Sequence, residues 1–125
     1  MHELGIATSL LREAQKEAAR HPGKRLCKVR VRLGDLAGVN AEALSFCFEV
    51  LARKDKLQPL ELEIESCARR QRCSRCELIF SVLNFDLHCP ACGAEDTDFV
   101  SGDELELAGV ELDEYDASAA ATQSA

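Results

Sequence analysis

Cys73-Ser-Arg-Cys76 and Cys89-Pro-Ala-Cys92 are two Cys-x2-Cys pairs, separated by the twelve residues 77–88. Two residues between cysteines allow a tight turn that directs both sulfur atoms to one point, and two such turns can complete a tetrahedron of thiolates around one ion. We therefore predict a structural Zn(II) site formed by Cys73, Cys76, Cys89 and Cys92. Because sulfur fills all four positions, this site leaves no coordination position open for a substrate.

Two other uses of these cysteines agree less well with the sequence. A disulfide is disfavoured because the N-terminus lacks the features of a signal peptide, which predicts a cytoplasmic protein with reduced thiols. Iron is the stronger rival, since Cys89-Pro-Ala-Cys-Gly93 resembles a rubredoxin knuckle and four thiolates do not by themselves distinguish the two metals. The aromatic shell typical of a rubredoxin-like electron carrier is thin here, because the chain has no Trp and one Tyr. Zinc is therefore favoured.

The sequence on either side of the cysteine pairs shows regular helical and strand periods. Residues 3–20 predict an amphipathic helix that ends at His21-Pro22-Gly23, and a second helix begins after the capping residue Asn40. The predicted buried stripes are Leu4, Ala7, Leu10, Leu11, Ala14 and Ala18 in the first helix, and Leu44, Cys47, Phe48 and Leu51 in the second.

Two segments alternate with the period of two that half-buried strands show. Residues 26–33 place Cys27, Val29, Val31 and Leu33 inward and carry basic side chains outward, whereas residues 60–66 carry acidic side chains outward. Opposite charges on neighbouring strands attract each other, so we predict that the basic strand lies beside an acidic one. The outward residues are Lys28, Arg30 and Arg32 in the first strand, and Glu61, Glu63 and Glu65 in the second.

A third strand is predicted over about residues 99–112, with a bulge at Gly109 because the apolar phase shifts there. These elements predict an α+β fold of two helices on a small three-stranded sheet, with an inserted zinc-ribbon-like lobe. The predicted domains are an α/β domain of residues 1–67 and 98–114, a zinc-binding lobe of residues 68–97, and a disordered tail of residues 115–125.

The charge of the chain argues against nucleic acid as a partner. Its net charge is -7, from 22 acidic and 15 basic residues, and seven of the acids lie from Asp103 onward with no base among them. Such a segment repels a phosphate backbone. A zinc-ribbon interaction module that binds RNA or a transcription complex stays open as an alternative, supported by four arginines near the first cysteines: Arg69, Arg70, Arg72 and Arg75.

Two further classes find no support in the sequence. No apolar run approaches the roughly 18 residues needed to cross a bilayer, so no membrane partner is expected. The chain contains no Gly-x-Ser-x-Gly motif and no phosphate-binding glycine-rich loop, so we predict that it is not an enzyme.

The N-terminal Met1-His2-Glu3 places three nitrogen donors within chelating reach: the α-amine, the His2 amide nitrogen and the imidazole. With a fourth ligand from Glu3 or water, they form the square-planar N/O arrangement that suits Ni(II) or Cu(II). A histidine near a terminus is usually just solvated, however, and Glu3 is equally explained as favourable charge at a helix N-terminus. Taken alone, this motif leaves its function open.

Several motifs along the chain are specific in combination. They are Met1-His2-Glu3-Leu4, Arg-Leu-Gly-Asp-Leu-Ala-Gly-Val at residues 32–39, Phe46-Cys-Phe-Glu49, the paired Cys-x2-Cys knuckles, Ser101-Gly-Asp-Glu-Leu105 and Val110-Glu-Leu-Asp-Glu114. From residue 1 to about 114 the sequence resembles the HypA/HybF family, the nickel metallochaperones of nickel–iron hydrogenase maturation.

This resemblance implies a transferable Ni(II) bound by the amine of Met1 and by the imidazole and amide nitrogen of His2, with Glu3 supporting the site. The four cysteines would hold zinc. The implied partners are a HypB-type GTPase, the hydrogenase large-subunit precursor and, in some organisms, urease accessory proteins; we expect a monomer or weak homodimer. Some members carry histidines beside the knuckles, whereas here Arg75 and Glu77 flank Cys76. Histidine-linked communication between the two metal sites is therefore not expected.

Overall fold

The computed structural model describes residues 3–57 and 59–114. In chain order, the elements are α1 (Glu3–Ala19), β1 (Lys24–Gly34), α2 (Ala41–Lys54), β2 (Glu61–Cys67), β3 (Arg70–Cys73), β4 (Ile79–Ser81), β5 (Thr97–Ser101) and β6 (Leu105–Glu114). They form two three-stranded sheets with the strand orders β2-β1-β6 and β4-β3-β5. The predicted α+β class is confirmed. The predicted disordered tail lies outside the described residues.

Helix α1 forms where the apolar period predicts it, and it contacts α2. Its buried residues are Ala7, Leu10, Leu11 and Ala14. The predicted burial of Leu4 is wrong, because Leu4 lies in the first turn, beyond the buried stripe, and is 53% exposed. Ala18 is half-buried. After Ala19 the chain turns at the predicted His21-Pro22-Gly23, where Gly23 has a φ of +84°.

Helix α2 begins at the predicted cap. The side-chain oxygen of Asn40 accepts a hydrogen bond from the backbone N–H of Ala43 at 2.9 Å, which satisfies one of the unpaired donors of the first turn. Leu44, Phe48 and Ala52 are buried, a spacing of four that keeps one narrow stripe inward. The predicted stripe was too wide, because Cys47 and Leu51, on its flanks, are only half-buried.

Strand β1 is the central strand of its sheet. Its alternation is regular from Val29 onward, with Val29, Val31 and Leu33 buried. It breaks at the start of the strand, where Leu26 is buried and Cys27 is half-buried. The predicted inward position of Cys27 is therefore only partly correct. The thiol of Cys27 instead donates a hydrogen bond to the backbone oxygen of Glu111, 3.2 Å away.

The prediction that the basic strand lies beside an acidic one is confirmed on both sides of β1. Lys28 Nζ lies 3.7 Å from a carboxylate oxygen of Glu61 on β2 and 3.6 Å from one of Glu111 on β6. The Coulomb attraction of Glu111, followed by that of Glu61, raises the pKa of Lys28. Further pairs of the same kind are Arg30–Glu111, Arg32–Glu65 and Arg32–Glu106. Opposite charges therefore line the outer face of this sheet.

The predicted third strand is two strands, β5 and β6, separated by residues 102–104. Gly102 has a φ of +125°, and a Cβ placed there would lie 2.5 Å from the Cα of Arg69. Its backbone N–H donates to a side-chain oxygen of Glu104 at 2.9 Å. This turn ends the pairing of β5 with β3 and starts β6 beside β1. The burial phase of β6 shifts near Gly109, and the bulge there stays a prediction.

The described chain divides into two compact units, one of which consists of Arg32–Val39 and Glu65–Glu106. Within that unit, a Cβ on Gly34 would lie 2.2 Å from the backbone oxygen of Gly102, so only glycine fits at position 34. The backbone N–H of Asp35 donates to the oxygen of Cys67 at 3.0 Å. The other unit holds the remaining described residues. Among the described helices, none combines the length and apolarity needed to cross a membrane.

Candidate metal centres

The cysteine lobe, defined here as Arg70–Ser101, contains its own small core. Buried Cys73, Cys89, Phe80 and Ala94 form this core, with Val82 packed against it. Strand β3 pairs in antiparallel fashion with both β4 and β5, which places Gln71 opposite Phe80 on one side and Phe99 on the other. Phe80 is the one large side chain of the core, so apolar burial contributes little to the stability of the lobe.

The first knuckle turns sharply at the end of β3. The backbone N–H groups of Arg75 and Cys76 point at the Sγ of Cys73, at 3.4 and 3.5 Å. The N–H of Glu77 closes the turn by donating to the backbone oxygen of Cys73 at 2.9 Å. Glu77 has a φ of +64°, a conformation that favours glycine.

The second knuckle repeats this arrangement position by position. The N–H of Gly93 donates to the oxygen of Cys89 at 2.8 Å, and the N–H of Cys89 donates to the oxygen of Ala94 at 3.0 Å. Gly93, which corresponds to Glu77, has a φ of +74°. The first cysteine of each knuckle is buried, whereas the second, Cys76 or Cys92, is exposed. Each knuckle therefore supplies one enclosed and one accessible sulfur.

The structure brings all four predicted cysteines together. Their four Sγ atoms lie within 4.8 Å of one another. The Sγ atoms of Cys73 and Cys92 are 3.5 Å apart, as are those of Cys76 and Cys89. Tetrahedral zinc with Zn–S bonds of about 2.3 Å requires sulfur atoms about 3.8 Å apart. The cluster therefore fits a closed, four-sulfur zinc site.

The protonation of the cluster is uneven. The backbone N–H of Cys76, assisted by that of Arg75, lowers the pKa of Cys73 to about 6. Burial opposes ionisation of Cys89, but the N–H groups of Cys92 and Ala91 outweigh it and lower the pKa of Cys89. The N–H of Leu78 favours the Cys76 thiolate, yet the neighbouring thiols, Cys89 first, raise the pKa of Cys76 to about 11. Metal binding would therefore release protons from the cluster.

One buried polar side chain supports the knuckles, although no motif in the sequence marks it. Gln71 is 2% exposed. Its Oε1 accepts from Arg69 Nε at 3.1 Å, and its Nε2 donates to Thr97 Oγ1 at 3.2 Å. Thr97 Oγ1 in turn donates to the oxygen of Leu87, just before the second knuckle, at 2.7 Å. The sequence could have indicated this burial, because the alternation of β3 places Gln71 on the same face as Cys73.

His88 and Cys67 are potential metal ligands that lie outside the cluster. His88 Nδ1 is 2.7 Å from a carboxylate oxygen of Asp86, and this hydrogen bond, followed by one with Glu95, raises the pKa of His88. Partial burial, followed by the nearby Glu104, raises the pKa of Cys67, so its thiol stays protonated at neutral pH. Neither residue is a member of the four-sulfur group.

The N-terminal site can be described only from Glu3 onward, because Met1 and His2 lie outside the described residues. Glu3 is the first residue of α1. Its Oε2 accepts a hydrogen bond from the backbone N–H of Asn40 at 3.3 Å. The side chain of Asn40 therefore caps α2, while its backbone N–H binds the first residue of α1. The sequence predicted the cap but not this second contact, since no local pattern links positions 37 residues apart.

Most of the chain matches a known protein family. The sequence profile described as "Hydrogenase/urease nickel incorporation, metallochaperone, hypA" matches residues 1–112. The chain belongs to the HypA family. The predicted family is thereby confirmed, and with it the class of nickel metallochaperones for hydrogenase maturation.

Individual HypA proteins match over nearly the whole chain. The hydrogenase maturation factor HypA of Geobacter metallireducens is 37% identical over 113 residues, which cover 90% of this chain and 100% of the relative. That of Roseiflexus sp. is 37% identical over 115 residues, 91% of this chain and 94% of the relative. The solution structure of the Ni metallochaperone HypA from Helicobacter pylori shares the fold, with a TM-score of 0.59 at 20% identity, covering 90% of this chain and 97% of that one.

Proposed function

We propose that this HypA-family chain binds Ni(II) at its N-terminus and hands it over during maturation of nickel–iron hydrogenase, while a structural zinc ion holds the cysteine lobe together. The observation that carries this proposal is the family match over residues 1–112, which includes both the N-terminal Met1-His2-Glu3 and the two cysteine knuckles. It also disfavours the two alternatives, an RNA-binding zinc ribbon and a rubredoxin-like electron carrier.

The proposed nickel ligands are nitrogen atoms of the first two residues. Met1 would supply its α-amine, and His2 its amide nitrogen and imidazole, an arrangement that suits square-planar Ni(II). Glu3 would support the site, because its carboxylate is hydrogen-bonded to the N–H of Asn40 and so fixes the point where α1 begins. A fourth ligand from water or from a partner completes the plane.

This ligand set suits a carrier rather than an enzyme. Nickel held by a terminal chelate with a replaceable fourth position can be taken by incoming ligands one at a time, without being released into solution. Binding weakens as the pH falls, because protons compete for the amine and the imidazole. In contrast, Cys73, Cys76, Cys89 and Cys92 would surround zinc completely, and a closed site supplies folding free energy rather than an open position for chemistry.

The remaining assignments are proposals that the family match supports. We propose a cytoplasmic protein that works with a HypB-type GTPase and the hydrogenase large-subunit precursor, and with urease accessory proteins in organisms that have them. We propose that the chain is a monomer or a weak homodimer and that it binds neither nucleic acid nor a membrane. The domain boundaries predicted from the sequence, with a zinc lobe at residues 68–97, stand as part of the same proposal.

Calorimetry with Ni²⁺ tests the nickel site on zinc-loaded protein with an unmodified N-terminus. His2→Ala and a version extended before Met1 should each lose at least about 100-fold in affinity, more than the 10–100-fold typical for loss of a supporting residue. Glu3→Gln should lose about 10-fold. Zinc content should be the same in all four proteins. If all four bind Ni²⁺ alike, the proposed nickel site is wrong.

A further inference from the structure

Helix α2 carries large apolar side chains on the face that points away from the core. Phe46 is 66% exposed and Val50 is 38% exposed. They are four residues apart, so their side chains adjoin on one face of the helix. With about 3.6 residues per turn, this face lies opposite the buried stripe of Leu44, Phe48 and Ala52. The core of the chain therefore leaves both side chains uncovered.

The helix itself gives no reason for these two residues. Phe and Val are weaker helix formers than the charged and long-chain residues that usually occupy an exposed face. The half-buried side chains of Ala43 and Cys47 lie on the same side of the helix, so Phe46 and Val50 belong to a continuous apolar surface. Continuous apolar patches mark interaction sites, whereas isolated exposed apolar residues do not.

The row of side chains that contains Phe46 and Val50 ends in opposite charges. Glu42 lies four residues before Phe46, and Lys54 lies four residues after Val50. We call these four residues the α2 ridge, which is about 18 Å long. The side chains of Glu42 and Lys54 are both exposed, and neither has an ion pair or hydrogen bond within the part of the chain that the structure describes.

The other charges near the ridge keep this polarity. Glu49 and Arg53, in the adjacent row, pair with each other at 3.1 Å. Asp55 and Lys56, just beyond the end of α2, carry opposite charges that cancel. The carboxylate of Glu3 lies at the other end, where it accepts a hydrogen bond from the backbone of the capping residue of α2. The ridge therefore runs from an acidic end to a basic end.

The α2 ridge is complementary to its own reverse. Rows of residues four apart interdigitate when two helices cross at about −50°, the commonest packing class in globular proteins. In an antiparallel pair related by a two-fold axis, Phe46 of each copy would lie beside Val50 of the other. Glu42 of each copy would then lie beside Lys54 of the other. A parallel pair would instead bring carboxylate against carboxylate and ammonium against ammonium.

We propose that two copies of this chain associate through the α2 ridge, antiparallel about a two-fold axis. Such symmetric contacts are the commonest in homo-oligomers. One helix from each copy buries less than the roughly 800 Å² per partner of a stable complex, so the Kd should be weak, on the order of 100 µM. The proposal specifies the weak homodimer of the proposed function and rests on that part of it alone. It uses none of the proposed nickel ligands, so calorimetry with Ni²⁺ judges the nickel site separately.

Sedimentation of the zinc-loaded, nickel-free chain from about 10 µM to 1 mM measures the Kd of the dimer. Phe46→Ala should weaken dimerisation by at least about 30-fold, because the two-fold axis makes each lost contact count twice. Phe85→Ala is the matched control. It truncates a phenylalanine of the cysteine lobe that is 96% exposed and should leave the Kd within about twofold of the native value. At low micromolar concentration, where the chain is monomeric, Phe46→Ala should keep the native melting temperature.

Charge reversal tests the antiparallel pairing itself. Glu42→Lys gives a ridge with a base at both ends, and Lys54→Glu gives one with an acid at both ends. At low salt, each variant alone should dimerise about 5- to 10-fold more weakly than the native chain. An equimolar mixture of the two variants should restore the native Kd, because every base then faces an acid in the mixed dimer. Circular dichroism checks that both variants keep their helices.

Three outcomes would overturn the proposed dimer. The native chain could remain monomeric at about 1 mM, which would leave the ridge to a different protein or to the tail of the same chain. Phe46→Ala could dimerise with the native Kd, or Phe85→Ala could weaken dimerisation as much, and either result would place the contact elsewhere. Finally, a mixture of Glu42→Lys and Lys54→Glu that associates no better than each variant alone would exclude the antiparallel pairing.

Discussion

Two regions of the molecule are stabilised by different means. One is the helix–sheet region, which is formed by α1, α2 and the sheet β2-β1-β6, and the other is the cysteine lobe. In the described residues, eleven of the fifteen buried apolar residues belong to α1, β1 and α2, whereas the lobe buries only Cys73, Phe80, Cys89 and Ala94. Two of those four are cysteines of the metal cluster. The helix–sheet region therefore depends on many small contributions, and the lobe depends on one ion.

Removal of zinc should produce the largest difference between the two regions. Structural zinc supplies on the order of 10 kcal/mol of folding free energy in small zinc-binding peptides. After chelation, we expect the amides of β3, β4 and β5 to lose their protection from hydrogen exchange, while the amides of α1 and α2 keep theirs. Hydrogen-exchange mass spectrometry measures both.

Cysteine variants supply the control for chelation. Cys89→Ser should lose zinc, whereas Cys67→Ser, outside the four-sulfur group, should keep one zinc per chain. If the amides of the lobe strands stayed fully protected from hydrogen exchange in metal-free protein, the lobe would not need the ion. The proposed difference between the two regions would then be wrong.

A cavity in the helix–sheet core should give the next largest effect. Phe48 is 1% exposed, and Phe48→Ala should lower the free energy of unfolding by about 3–5 kcal/mol. Urea unfolding followed by helical circular dichroism measures this loss. On the same helix, Phe46 is 66% exposed, so Phe46→Ala should change stability by no more than about 0.5 kcal/mol. Equal losses for the two variants would contradict the core described for α2.

Loss of the α2 cap should cost less. Asn40→Ala removes the acceptor for the N–H of Ala43 and should lower the free energy of unfolding by about 1 kcal/mol. The bond from Asn40 N–H to Glu3 uses the backbone, so it survives the substitution. Asn40→Asp keeps a capping oxygen and should retain the native stability in the same urea experiment. A destabilisation as large in Asn40→Asp as in Asn40→Ala would argue against the cap.

The smallest effect is expected from Asp113, near the end of β6. The side chain of Arg25 donates to its carboxylate at 2.9 Å, and this hydrogen bond lowers the pKa of Asp113 below the usual 3.8. The contribution of Asp113 to stability is therefore fully present above pH 3.8 and lost as the pH falls through the lower, folded value. Asp113→Asn should lower the melting temperature at pH 7 by less than Asn40→Ala does. The melting temperature of this variant should also fall less than that of the native protein when the pH is lowered into the acid range, because asparagine has no carboxylate to protonate. Asp103→Asn, the same change at another exposed position, provides the control.

Periodicity and spacing predicted much of this molecule. Both helices, the Asn40 cap and the pairing of a basic with an acidic strand depend on local patterns, and local patterns are visible in sequence. The convergence of four sulfur atoms was also predictable, because two Cys-x2-Cys turns have few ways to arrange their thiols.

What the sequence missed depends on contacts between distant positions. The turn at residues 102–104 divides a continuous apolar pattern because Gly102 lies against the backbone of Arg69. The exposure of Leu4 reflects where the buried stripe begins rather than its own hydrophobicity. Likewise, Gln71 is buried only because Arg69 and Thr97 satisfy both ends of its amide. Tertiary structure determines the conformation and burial of such residues, and it overrides their local preference.

The glutamates beside β1 have a further consequence for the outer strands of their sheet. The outer strands β2 and β6 both carry glutamates, among them Glu61 and Glu65 on one and Glu106 and Glu111 on the other. Two molecules that met edge to edge through these strands would bring carboxylates against carboxylates. That repulsion discourages the open-ended stacking from which fibrils grow, so the charges should keep the protein from aggregating while it accumulates in a cell.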